Sequence, residues 1–96
     1  MLIEFDPTKD AANVLKHGMS LADAKGFEWG SAVTWMDLRQ DYGEDRVIAL
    51  GYIGPRLCCM VFVEREGTEE GETQDICRVI SLRPATLREI QRYAET

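Results

Sequence analysis

The chain predicts an α+β fold, a small antiparallel sheet with helices packed on one face. Three observations carry this. Leu57–Val63 (LCCMVFV) is apolar on both alternations, the pattern of a central strand covered on both faces. Ile76–Leu82 is a second apolar, partly β-branched run that stops at Pro84, which lacks the N–H a ladder needs. Thr86 followed by Glu89 forms a capping box, so a helix opens directly after that strand.

The remaining elements follow in order. Leu2–Phe5 is a short strand. Asp6-Pro7 supplies an N-cap and a first helical residue, and the helix runs to about His17, where Gly18 suits the C′ position. Ala11, Val14 and Leu15 give it an apolar face; Lys9, Asn13 and His17, four apart, form a polar stripe on another. Ser20 and Asp23 open a second short helix with Leu21, Ala24 and Phe27 facing inward. Ala32–Met36 is a strand, Leu38–Asp45 a polar loop, Arg46–Ile53 a strand and Gly54-Pro55 a tight turn. The acidic stretch before Ile76 is expected to be a loop closing a hairpin. The order β-α-α-β-β-β-β-α, with short turns between successive strands, gives an antiparallel meander.

Ninety-six residues make a single domain, residues 1–96. No apolar run approaches the ~18 residues that cross a bilayer, and Met1–Lys9 lacks the features of a signal peptide. Three cysteines, with Cys58 and Cys59 adjacent and no C-x-x-C spacing, argue against a disulfide framework or a zinc site and for buried, reduced thiols in a cytoplasmic protein. Cys77, Trp35 and the methionines read as core. The net charge of −6 argues against a nucleic-acid binder at first sight. Its distribution changes that reading. Six carboxylates (Glu64, Glu66, Glu69, Glu70, Glu72, Asp75) crowd one stretch with only Arg65 between them, while Ile76–Thr96 holds four of the eight arginines. A magnesium site in the acidic stretch is not expected, because flexible loop acids are ordinarily solvated.

Three ordered motifs carry a family resemblance. Asp6-x-x-Lys9-x-x-x-Asn13-x-x-Lys16-His17-Gly18 with Ser20-Leu21-x-x-Ala24 resembles the opening of the BrnT toxins of bacterial type II toxin–antitoxin systems. Asp41-Tyr42-Gly43-Glu44-x-Arg46 is similar to that family's loop before a long strand. Arg78-Val79-Ile80-Ser81-x-Arg83-x-Ala85-Thr86-x-x-Glu89-x-x-x-Tyr93 is similar to its closing motif. The chain departs from the pattern at Leu82, Pro84, Gln91 and Phe27–Gly30. The resemblance implies a RelE-like fold: a small twisted antiparallel sheet with two N-terminal helices and one C-terminal helix. It also implies a ribonuclease that cuts RNA and stops translation. The implied partner is a cognate antitoxin with a ribbon-helix-helix DNA-binding domain, through which alone the complex meets operator DNA.

RNA can be cut without metal or cofactor. The 2′-OH attacks the adjacent phosphorus, a base takes its proton, an acid protonates the leaving 5′-oxygen, and cations hold the phosphorane charge. One histidine excludes a two-histidine mechanism, so His17 is the candidate proton-transfer group; the competing role is a cation at a helix C-terminus. Arg83, between a strand end and a helix N-terminus, is the leading phosphate ligand, with an ion pair to the acidic stretch as its alternative. Arg46 and Arg78 are further candidate phosphate contacts, with ordinary salt bridges as the alternative, and Arg78 lies on the face opposite Arg83 if the strand is unbroken. Tyr93 can stack a base or simply pack, and Lys9 is either a ligand or a solvated lysine. Two other readings stay open: an attenuated homologue that binds its antitoxin but cuts poorly, and a generic α+β interaction domain. In either toxin reading the acidic stretch faces a basic part of the antitoxin.

Overall fold

The computed structural model describes residues 1–96 apart from the side chain of Glu69. The order is β1 (Leu2–Glu4), α1 (Pro7–His17), two 3₁₀ segments (Leu21–Gly26 and Trp29–Ser31), β2 (Val33–Met36), β3 (Val47–Ile53), β4 (Arg56–Glu69), β5 (Glu72–Pro84) and α2 (Leu87–Ala94). The five strands form one sheet in the order β1-β5-β4-β3-β2. β2 to β5 are antiparallel, as the short connections require. β1 is not: it pairs with β5 in parallel, from Leu2 opposite Ile76 to Glu4 opposite Arg78. No hairpin joins these two strands, so nothing in the connection imposes the antiparallel sense.

β4 is the central strand. Cys58, Met60 and Phe62 point into one core, and Cys59 and Val61 into the other. Cover is therefore needed on both faces, and the expectation of helices on a single face fails for that reason. The first 3₁₀ segment covers one side with Leu21 and Ala24, joined by Phe27, the extended residue that ends it; the spacing of three suits three residues per turn. Phe27 stands over Gly51, where a Cβ would come within 2.4 Å of its ring, so only glycine fits. α2 lies on the other side, contributing Tyr93 against Ile48, Leu50, Cys59 and Val61.

The acidic stretch is not a loop. β4 and β5 continue pairing from Glu64 opposite Cys77 to Glu69 opposite Glu72. They are closed by a two-residue turn in which Glu70 and Gly71 have φ of 53° and 82°. Two successive left-handed residues match the right-handed twist of a hairpin. A two-stranded ribbon exposes both faces, so carboxylates there stay hydrated while Thr68 and Thr73 favour the extended backbone.

The largest departure concerns α1. Its caps are as expected: the Asp6 side chain accepts from Thr8 N–H, and Gly18 is left-handed at φ 70°. Its orientation is inverted. Leu15 is 91% exposed and Val14 46%, whereas Asn13 is buried. β1 ends opposite Arg78, which leaves the outer edge of β5 open beyond it. The Asn13 amide fills that edge. Its Nδ2 donates to Leu82 O at 2.7 Å and to Met19 O at 2.8 Å, and its Oδ1 accepts from Leu82 N–H at 3.3 Å. One turn back, Asp10 accepts from Ser20 Oγ (3.0 Å) and Leu21 N–H (2.7 Å). The polar stripe is what docks. α2 behaves likewise, with Leu87 71% exposed and Glu89 turned toward the sheet. Trp35 is half-buried and packs against the second core, under the Arg92 guanidinium at 3.9 Å; Met1 and Met36 are exposed, so these two are not core.

Asn13→Ala leaves buried groups on Leu82 and Met19 without partners and should cost about 2–4 kcal/mol in a denaturant melt. Leu15→Ala, although it removes an apolar side chain, should change stability by less than about 0.5 kcal/mol.

Candidate functional site

The site is set by an irregularity in β5. Pairing with β4 runs to Val61 opposite Ser81 and resumes at Phe62 opposite Val79, so Ile80 is an extra residue. Val79 and Leu82, three apart, consequently share one core. Arg78 and Arg83, flanking them, fall together on the other face. The unbroken-strand expectation that separates these arginines is thereby corrected.

The bulge also meets α1. Ile80 and Ser81 form one wall of an open groove of about 220 Å³, and Lys9, Asn13, Lys16 and His17 form the other. No carboxylate lines it. The His17 imidazole is held below its ordinary pKa of 6.5, first by partial burial, then by the charges of Lys16 and Arg83. It is therefore mostly neutral near pH 7, with Nδ1 or Nε2 free to accept a proton. Among the predicted residues, the fold thus brings His17 and Lys9 to the bulge, with Arg83 near enough for its charge to act on the imidazole.

Arg83 is not free. Its Nη1 and Nη2 donate to Glu89 Oε1 and Oε2 at 2.6 and 2.9 Å, and Nη1 also reaches Pro84 O at 3.3 Å. Glu89 completes the capping box in the same contact: Oε1 accepts from Thr86 N–H at 2.9 Å, and Glu89 N–H donates to Thr86 Oγ1 at 3.2 Å. The guanidinium beside it, helped by the Thr86 N–H, pushes the Glu89 carboxyl down to about 2 against the opposing effect of burial. An ion pair was the alternative role for Arg83; its partner is Glu89 rather than the acidic ribbon.

The other predicted residues lie apart. Arg46 donates from Nε to Glu44 at 3.1 Å and stacks on Tyr42 at 4.1 Å. Arg78 is exposed and makes no ion pair among the described residues. Tyr93 donates its hydroxyl to Ser31 O at 2.9 Å and meets Tyr52 edge-on, which is a packing role. The sequence reading passed over Lys16, Ser81, Arg39 and the buried Asp37. Asp37 had a signal, since it stands two residues after Trp35 and continues the alternation of β2. Burial pushes the Cys59 and Cys77 thiols up to about 11 and about 12, so neither is a thiolate near neutral pH. Among the described residues no three His, Cys, Asp or Glu side chains cluster as metal ligands would, and no helix is long and apolar enough to cross a membrane.

The family model for BrnT, described as the ribonuclease toxin of type II toxin–antitoxin systems, matches residues 5–89. The chain belongs to the BrnT family. No curated protein matches it. Membership makes it a member of a ribonuclease toxin family with a cognate antitoxin as its partner. The matched span takes in α1, the groove and the bulge, and ends on Glu89.

In this BrnT chain the Glu89 carboxyl, ordinarily near 4.5, sits at about 2 in the fold. The contact therefore stabilises fully above 4.5 and is lost as pH falls from there through about 2. Discounted for partial exposure, parent and Glu89→Gln should differ by on the order of 2 kcal/mol at pH 6. Denaturant melts across the acid range should show that gap closing by pH ~2.

Proposed function

We propose that the chain is a metal-independent endoribonuclease that cuts RNA, halts translation and is neutralised by a ribbon-helix-helix antitoxin. The observation that carries this is a mostly neutral histidine, within reach of the charge of Arg83, in a groove lined by cations and no acids, within a chain of net charge −6. In this reading His17 takes the 2′-OH proton, and the freed oxygen attacks the adjacent phosphorus. Arg78 and Arg83 hold the charge that develops on the phosphorane. The 5′-oxygen leaves with a proton from solvent at the open mouth of the groove, giving a 2′,3′-cyclic phosphate and a 5′-hydroxyl end. Lys9 and Lys16 hold flanking phosphates as point charges. The reading takes the fold as RelE-like, the whole chain as one domain, and its place of action as the cytoplasm. The antitoxin would carry the complex to operator DNA, its basic part facing the acidic β4–β5 ribbon; the Glu69 side chain of that ribbon lies outside the described residues.

One observation favours a second reading, an attenuated toxin that holds its antitoxin but cuts poorly. Glu89 engages both terminal nitrogens of Arg83, so a phosphate must use the remaining N–H groups or displace the carboxylate.

Induced expression without the antitoxin, followed by RNA integrity, separates the two: intact RNA and normal growth would select the second. With purified protein, Arg83→Ala should slow cleavage by on the order of 10²-fold. The rate should fall as pH drops below 6.5, where His17 becomes protonated, and EDTA should leave it unchanged. Loss of activity in EDTA restored by magnesium would remove the metal-free step.

A further inference from the structure

The segment after β2 holds a second set of cations that the cleavage step does not use. The Asp37 side chain is fully buried, at 0% exposure, while the Arg39 side chain bonded to it is 66% exposed. The carboxylate accepts from Arg39 Nε (2.8 Å), Arg39 Nη2 (2.7 Å), the Arg39 main-chain N–H (3.2 Å) and the Tyr42 hydroxyl (3.1 Å). Burying a carboxylate is unfavourable unless its oxygens are satisfied, and here four donors satisfy them. Fixing a largely exposed arginine ordinarily contributes little to stability. The result is a largely exposed guanidinium whose Nε and Nη2 are engaged by Asp37, which leaves donor capacity on Nη1 and Nη2 for a ligand.

Arg46 is positioned next to it by other contacts. Its guanidinium lies on the Tyr42 ring at 4.1 Å, its Nε donates to the partly exposed Glu44 at 3.1 Å, and its carbonyl accepts from Asp37 N–H at 2.8 Å. Arg46 precedes Val47, which pairs with Phe62, and the next residue, Val63, pairs with Arg78. Arg46 and Arg78 thus stand on either side of Val63, roughly 10 Å apart at two strand spacings. Two arginine side chains of that separation can reach neighbouring phosphates. Arg39 in turn stands near enough to Arg83 for each charge to act on the other. The arginines form a track from the bulge across the sheet to the segment after β2.

We propose that Arg39 and Arg46, positioned by Asp37 and Tyr42, form a second phosphate subsite for single-stranded RNA, distinct from the groove at His17. This rests on the nuclease reading above. The subsite binds the strand at nucleotides flanking the cut and contributes to affinity, not to the bond-breaking step.

The test is the paired substitution Asp37→Asn with Arg39→Gln, which removes both charges, leaves the net charge at −6 and strands no buried ion. The probe is a single-stranded RNA blocked by 2′-O-methyl groups, titrated at several salt concentrations, with single-turnover cleavage of the unblocked RNA in parallel. Affinity should fall roughly tenfold, and the slope of log K against log salt should lose about 0.7, the contribution of one phosphate contact. Cleavage at saturating RNA should keep the parental rate. Arg39→Lys keeps the charge without the fork, so it should retain the slope and lose part of the affinity. Parental affinity and slope in the paired variant would overturn the subsite alone. A parent that binds no RNA would overturn both the subsite and the reading beneath it. Parental RNA binding with loss of the antitoxin would assign these arginines to the protein partner and overturn the proposal equally.

Discussion

One side-chain amide ties the first helix to the sheet. Asn13 does for β5 what another strand would do, offering a donor and an acceptor to the backbone of Leu82 where β1 has run out. Because β5 is bulged immediately before that point, the same contact sets where α1 lies relative to Ile80 and Ser81. His17, one turn along α1 from Asn13, is thereby carried to the bulge. Moving the helix by one residue would bring the wrong face to the edge, leave Leu82 unbonded and remove the histidine from Arg83. Packing of apolar groups would not specify this register as sharply, since a buried amide has only one arrangement that satisfies all its bonds.

A second constraint joins the C-terminal helix to the same region. Glu89 caps α2 and grips Arg83 with one carboxylate. The helix cannot swing away without freeing the arginine, and the arginine cannot turn fully to a ligand without loosening the helix. Charge in this acidic chain is partly sorted by structure: six acidic residues lie along the exposed ribbon, while the groove at the bulge is lined by cations and no carboxylate. Net charge alone conceals that separation.

Much of this was legible in the residues. β4 announced itself by being apolar on both alternations, and both α-helix N-termini were marked by capping residues at their observed positions. The three cysteines were recognisable as buried free thiols. What could not be seen were features decided by tertiary pairing. The bulge at Ile80 has no glycine or other local signature, and it alone puts Arg78 on the face of Arg83. α1 was misoriented because Val14 and Leu15 look like a core face, yet an unpaired strand edge attracts an asparagine more strongly than the sheet attracts a leucine. The acidic stretch read as loop because charge suggests solvent, which is equally true of a ribbon with both faces wet.

That ribbon divides the sheet into parts of unequal cohesion. Beyond Arg65 and Ile76, β4 and β5 have only each other: β3 begins opposite Phe62, and β1 reaches no further than Ile76. The tip has no third strand and no core beneath it, so its amide protons can exchange through small openings that leave the cooperative unit around Phe62 and Leu82 closed. The most acidic part of the chain is thus held by a single pair of strands. A protein that grips the tip can bend it to fit while the histidine, the arginines and the bulge stay in place.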